Sequence, residues 1–99
     1  MIPFTIQIQD ENTGEWTDKW HLHALQVNKT GGGQAYNAAA DQYKTRLTFE
    51  VRYFAALEEM RYSPQLFQIL YRGHTFKLVD WDDYMERHLT VKLVGEAYG

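Results

Sequence analysis

Apolar residues recur at every second position through much of this chain, the spacing of strands that bury one face. The longest such region runs from Phe67 to Val94. There Phe67, Ile69 and Tyr71 alternate with Gln68 and Leu70, and Arg72-Gly73 supplies a tight turn. Phe76, Leu78 and Asp80 follow on the next strand, and Asp82-Asp83 marks a second turn. Leu89, Val91 and Leu93 then alternate with His88, Thr90 and Lys92. Gly73 tolerates positive φ, and the two aspartates can bond their own backbone. The pattern predicts a β-meander whose apolar face the rest of the chain must cover.

Upstream, Ile2, Phe4, Ile6 and Ile8 share one face of a first strand over residues 2–9, and Asp10 to Gly14 form a polar loop. A second strand begins near Trp16 and keeps Trp20, Leu22 and Ala24 on one face, after which Leu25 and Val27 become the apolar positions. A slip of one in a period of two means a bulge or a sharp bend, by which a long strand turns a barrel corner. Leu47, Phe49, Val51 and Tyr53 alternate with Arg46, Thr48, Glu50 and Arg52 in the cleanest strand. Phe54 to Met60 fit one or two helical turns, which Ser63-Pro64 ends. Residues 95–99 read as a loose tail. The expected fold is mainly β, a small six-stranded β-barrel with a long helix-bearing loop inserted between strands 2 and 3.

That insertion covers residues 28–44. Gly31, Gly32 and Gly33 make a hinge that is costly to order inside a regular element. From Gln34 to Tyr43 the chain is rich in alanine, with Tyr36, Ala39, Ala40 and Tyr43 on one helical face. So short a helix is marginal alone and needs a surface to lie on. A loop this long in a small β-domain is usually functional or mobile.

With 99 residues the chain is expected to be one domain, and 44% hydrophobic and 15% aromatic content suffices for a single core. The absence of cysteine excludes disulfides and thiolate metal sites. A net charge of −3 and a pI near 5.7 argue against a protein whose main task is gripping phosphate backbones. No apolar run approaches the roughly 20 residues needed to span a bilayer. Met1-Ile2-Pro3-Phe4 lacks the basic and apolar regions of a signal peptide, so a cytoplasmic origin is expected.

Candidate chemistry is sparse. His21 and His23 share a strand face and could bind a metal with His88 or an acid, but solvent-facing histidines are the plainer reading. Asp80, Asp82, Asp83 and Glu86 cluster around a turn without the spacing of a calcium loop, so a solvated turn is expected. Gly31-Gly32-Gly33 has neither the Lys-Ser/Thr ending nor the spacing of a phosphate loop. Ser63, the only serine, precedes Pro64 and lacks a nucleophile elbow. No catalytic, metal-binding or cofactor-binding residue is assigned, and no enzyme is expected. A small barrel with aromatic strands could also be an OB-like binder of single-stranded nucleic acid.

The order of features carries a resemblance. An Ile-x-Ile strand leads to a polar turn, a Trp-containing strand and a Gly- and Ala-rich insertion. Phe49-Glu50-Val51-Arg52-Tyr53 and then Tyr71-Arg72-Gly73-His74-Thr75-Phe76 follow, before an acidic turn and a strand around Leu89-Thr90-Val91. From Phe4 to about Val94 this resembles the head–tail joining, or head-closure, family of tailed bacteriophages and prophages. The resemblance implies a virion component: a β-barrel assembling as a homo-oligomeric ring, commonly of twelve copies, beneath the portal and its adaptor. Such a ring closes the DNA-filled head, docks a tail completion protein and passes double-stranded DNA without reading sequence. It would be made in the host cytoplasm during assembly. It implies that the insertion faces the channel or a neighbouring subunit, with Gly31, Gly32, Gly33, Tyr36, Tyr43 and Lys44 as candidate contact residues. Arg46, Glu50 and Arg52, on a mixed-charge strand face, are the candidate subunit interface.

Overall fold

The computed structural model describes residues 1–29, 44–83 and 87–98. Among these residues seven strands form one antiparallel sheet: β1 (Ile2–Gln9), β2 (Trp16–Ala24), β3 (Gln26–Lys29), β4 (Lys44–Arg52), β5 (Phe67–Tyr71), β6 (His74–Asp82) and β7 (Thr90–Tyr98). Their spatial order is β2-β1-β5-β6-β7-β4-β3, so β1 and β7 each lie between two partners. Two 3₁₀ turns, Ala55–Leu57 and Pro64–Leu66, flank a short helix, α1 (Glu58–Tyr62), between β4 and β5.

The six-stranded barrel is corrected to a seven-stranded open sheet, and the reason is the slip at Leu25. The predicted second strand breaks there into β2 and β3, which stand at opposite edges of the sheet. Ala24 still pairs with Ile2 of β1, while Gln26 already pairs with Glu50 of β4. The Leu25 N–H donates to the Glu50 carbonyl at 2.7 Å. The sheet therefore curls until its edges meet at one residue, but no hydrogen-bonded ladder joins β2 to β3.

Two bulges re-aim side chains. Ile6 pairs with Trp20 but Gln7 with Asp18, which leaves Lys19 as the extra residue of β2. Leu78 pairs with Gly95 but Asp80 with Val94, which leaves Val79 extra in β6 and exposed. A bulge inserts one unpaired residue and so exchanges the two faces beyond it. Before Val79 the inward residues of β6 are Phe76 and Leu78; beyond it they are Trp81 and Asp83. Asp80, next in the alternation after Leu78, is exposed.

The inward face holds Phe4, Ile6, Phe49, Val51, Ile69, Phe76, Leu78, Val91 and Leu93, all buried. Phe49 is fully buried against the rings of Phe4, Tyr71 and Phe76, at centroid distances of 5.0, 5.2 and 6.2 Å. Gly95 pairs with both Leu47 and Leu78, and a Cβ there would come within 2.8 Å of the Phe76 Cβ. Glycine at this position is a packing requirement. Leu57 and Met60 of the helical segment are fully buried. Trp20 meets Phe54 edge-on at 5.3 Å and stacks on Phe67 at 6.2 Å, which docks this segment on the core.

Two further expectations change. β7 continues to Tyr98, paired throughout with β4, so residues 95–98 are sheet and not a loose tail. Leu89 does not extend the buried alternation of Val91 and Leu93. It is 67% exposed, because β7 starts only at Thr90, after His88 turns the chain with φ 57°.

Candidate functional site

Side chains that can carry function gather in three places: the outward face of the sheet, a cluster at the end of β6, and a groove beside the β5–β6 turn. The outward face is laid out in rows that follow the register. Asp18, Gln7, Gln68, Lys77, Glu96 and Arg46 form one row across six strands. The Gln7 amide donates to Asp18 at 2.9 Å, and the Gln68 amide donates to Gln7 at 2.7 Å. Arg46 Nε and Nη2 both donate to Glu96 Oε2, at 3.2 and 2.7 Å. A second row runs Gln26, Glu50, Lys92 and Asp82, with the Gln26 amide donating to Glu50 at 3.0 Å. Of the expected interface residues, Arg46 and Glu50 thus have partners within the chain, and Arg52 ends β4 exposed, opposite Thr90.

The cluster arises from the bulge at Val79. With the faces exchanged, Asp83 points inward and its carboxylate is 1% exposed. Both oxygens are met by His88: the backbone N–H donates to Oδ1 at 3.0 Å, and Nδ1 lies 2.6 Å from Oδ2. The left-handed φ of His88 turns its own amide and ring towards the same carboxylate. Tyr53 stacks on the His88 ring at 4.3 Å and donates its hydroxyl to Glu58 at 2.9 Å, while Arg61 reaches Glu58 at 3.4 Å and lies over the Trp81 ring. The hydrogen bond to Glu58 raises the Tyr53 pKa above 10.0, helped by desolvation and the charges of Glu58 and Asp83 and opposed by Arg61.

Glu58, Asp83 and His88 bring ligand-type atoms within 4.8 Å of one another and are the residues that could hold a cation. Each of those groups already has a protein partner, and the Asp83–His88 contact is a hydrogen bond with no room for an ion. The cluster acts as a clasp between α1, the end of β6 and the start of β7. His21 and His23 are exposed, as expected, and the alternative of a metal site shared with His88 is not assembled, since His88 pairs with Asp83. Asp83 is corrected from a solvated turn residue to a buried one. Asp80 and Asp82 are exposed as expected, and Glu86 lies outside the described residues. The sequence signal was present: Asp83 carries a charge at an inward position, but only once the bulge is counted.

The groove lies where β1 begins and β5 ends. It is shallow, about 270 Å³, and Pro3, His21, His23, Arg72 and Gly73 line it. Arg72 and Gly73 have φ of 53° and 80°, the paired positive values of a type I′ hairpin turn. Arg72 lines the groove, and its guanidinium sits 5.3 Å from the Tyr71 ring centroid. Sequence reading missed this site because its residues come from three separate strands and a turn.

Of the insertion, Gly31, Gly32, Gly33, Tyr36 and Tyr43 lie outside the described residues, as does the expected helix; Lys44 opens β4, paired with Tyr98. Phe4, Phe49, Phe67 and Phe76 are core residues, so these aromatics offer no platform for stacking bases. No helix among the described residues is long and apolar enough to cross a membrane.

Neither the curated proteins nor the solved structures contain a match to this chain. A family model described as phage head completion protein matches residues 5–96.

Proposed function

The chain belongs to the phage head completion protein family, and from that premise we propose that it is a non-enzymatic connector subunit that closes the DNA-filled head and docks the tail. The carrying observation is the family match, which spans nearly the whole chain and both sheet edges. As a head protein it belongs in the virion, among other head and tail proteins. The finer reading is a ring of identical copies, twelve in the likeness stated above, seated on the portal and its adaptor and assembled in the host cytoplasm. Each copy would be a single connector domain built on the curled open sheet, whose edges meet at Leu25. Residues 28–44 would face the channel or a neighbour, and double-stranded DNA would pass without sequence reading.

The outward rows support this reading in a specific way. Arg46, Glu50 and Arg52 present charges of both signs on one strand, and such patterns give register and partner discrimination more than raw affinity. Since Arg46 is already held by Glu96, a neighbour gains little by pairing with it, and selectivity is the expected role.

The experiment is reconstitution. The purified protein is mixed with the complex of portal and adaptor from the same virus and imaged by electron microscopy. Added ring density on the adaptor face is expected. Repeated failure to add to a complex that is itself intact would overturn the connector reading.

A further inference from the structure

The β1–β2 hairpin carries acidic groups at one end and a basic groove at the other. Around its turn, Asp10, Glu11 and Glu15 are all exposed. At its open end lies the groove of Pro3, His21, His23, Arg72 and Gly73, with no acidic residue in the lining. Asp18 connects the two ends only loosely, 3.9 Å from the His21 Nε2. Eight residues of β1 hold the ends roughly 25 Å apart.

The turn is rigid. The Asp10 carboxylate accepts from the backbone N–H of Asn12 at 2.7 Å and of Thr13 at 3.1 Å. The Asp10 N–H donates to the Glu15 carbonyl, and the Gly14 N–H donates to the Asp10 carbonyl. A tip tied down in this way loses little freedom on binding, which favours its use as a docking element.

We propose that the acidic β1–β2 turn of one copy seats in the His21/His23/Arg72 groove of the next, so that copies meet head to tail. A contact between two different patches of the same chain is heterologous, and it closes into a ring when the rotation between copies divides a full turn. The groove has room for a carboxylate-bearing side chain such as Glu11. Arg72 is the one arginine or lysine in its lining, which suits a single carboxylate; duplex DNA would need several such cations to neutralise its phosphates. The proposal rests on the ring reading for the identity of the neighbour, and adds which surfaces meet.

The protein has no cysteine of its own, which makes disulfide trapping clean. Asn12→Cys and His23→Cys are introduced together and singly, which leaves the Glu11 carboxylate and Arg72 in place, and mature particles carrying each variant are oxidised. The double variant is expected to yield a ladder of covalent multimers, and each single variant none. Particles that contain the double variant but show no ladder overturn the proposed contact while leaving the connector reading intact, since incorporation is scored separately. In parallel, Arg72→Glu in the double variant is expected to abolish the ladder. A ladder that persists at full strength means that the groove's cation is not what seats the turn, and the proposal fails.

Discussion

On the inward face of the sheet, Phe49 touches three other rings and Gly95 leaves no space for a methyl group. On the outward face of the same strands, Arg46 and Glu96 or Gln26 and Glu50 pair side by side at the surface. The residues alternate along one backbone, yet they answer to different physics. Inside, stability scales with area removed from water and with fit, so each volume change is felt. Outside, an exchange of water for a neighbour nets little, and arrangement matters more than strength. The inward face therefore decides whether the chain folds, and the outward face is left open to decide what it meets.

Substitutions can break or sharpen this contrast. Phe49→Ala has the largest expected effect, a loss of about 3–5 kcal/mol in urea denaturation, because it empties a site between three other rings. Gly95→Ala comes next, at about 1–3 kcal/mol, since the added methyl must displace the Phe76 Cβ and not the end of a flexible chain. A neutral outcome at Gly95 would mean that β6 and β7 separate easily, and the inward face would lose its claim to be close-packed. Asp83→Ala tests the exception, a charge placed on the inward side, by stranding the His88 amide at a cost of about 1–3 kcal/mol. Arg46→Gln on the outward face should cost no more than about 1 kcal/mol, because the Arg46 side chain is 46% exposed. A larger loss there would erase the distinction between the faces.

The smallest effect is confined to alkaline solution. Tyr53 holds its proton more tightly in the folded chain than unfolded, because ionisation would break its bond to Glu58. Its contribution is complete below pH 10, and stability falls as pH rises through the raised value. Tyr53→Phe should remove that part of the fall. A pH profile unchanged by the substitution would show that the Glu58 bond does not persist in solution.

The strands were legible because alternation is a direct record of burial, and residues 2–9 and 46–52 match their expected faces closely. The bend was legible too, since Leu25 takes the apolar phase that Ala24 should have kept. The bulge at Val79 was not. Phe76, Leu78 and Asp80 continue one phase without interruption, and only the pairing with β7 shows that Val79 has dropped out of register. Everything that depends on that residue was hidden with it: the inward turn of Asp83, its bonds to His88, and the clasp with Glu58 and Tyr53. The groove was hidden for a different reason, as His21, His23 and Arg72 converge through pairings that no local pattern records.

Because β1 and β7 both run in the interior of the sheet, neither can be peeled away by unzipping a single edge. A pull along either strand loads two ladders at once and in shear, so many hydrogen bonds must fail together before the strand moves. Forced unfolding is governed by the barrier to that first rupture and not by equilibrium stability. A chain threaded in this way is suited to bear tension, even where its overall folding free energy is ordinary.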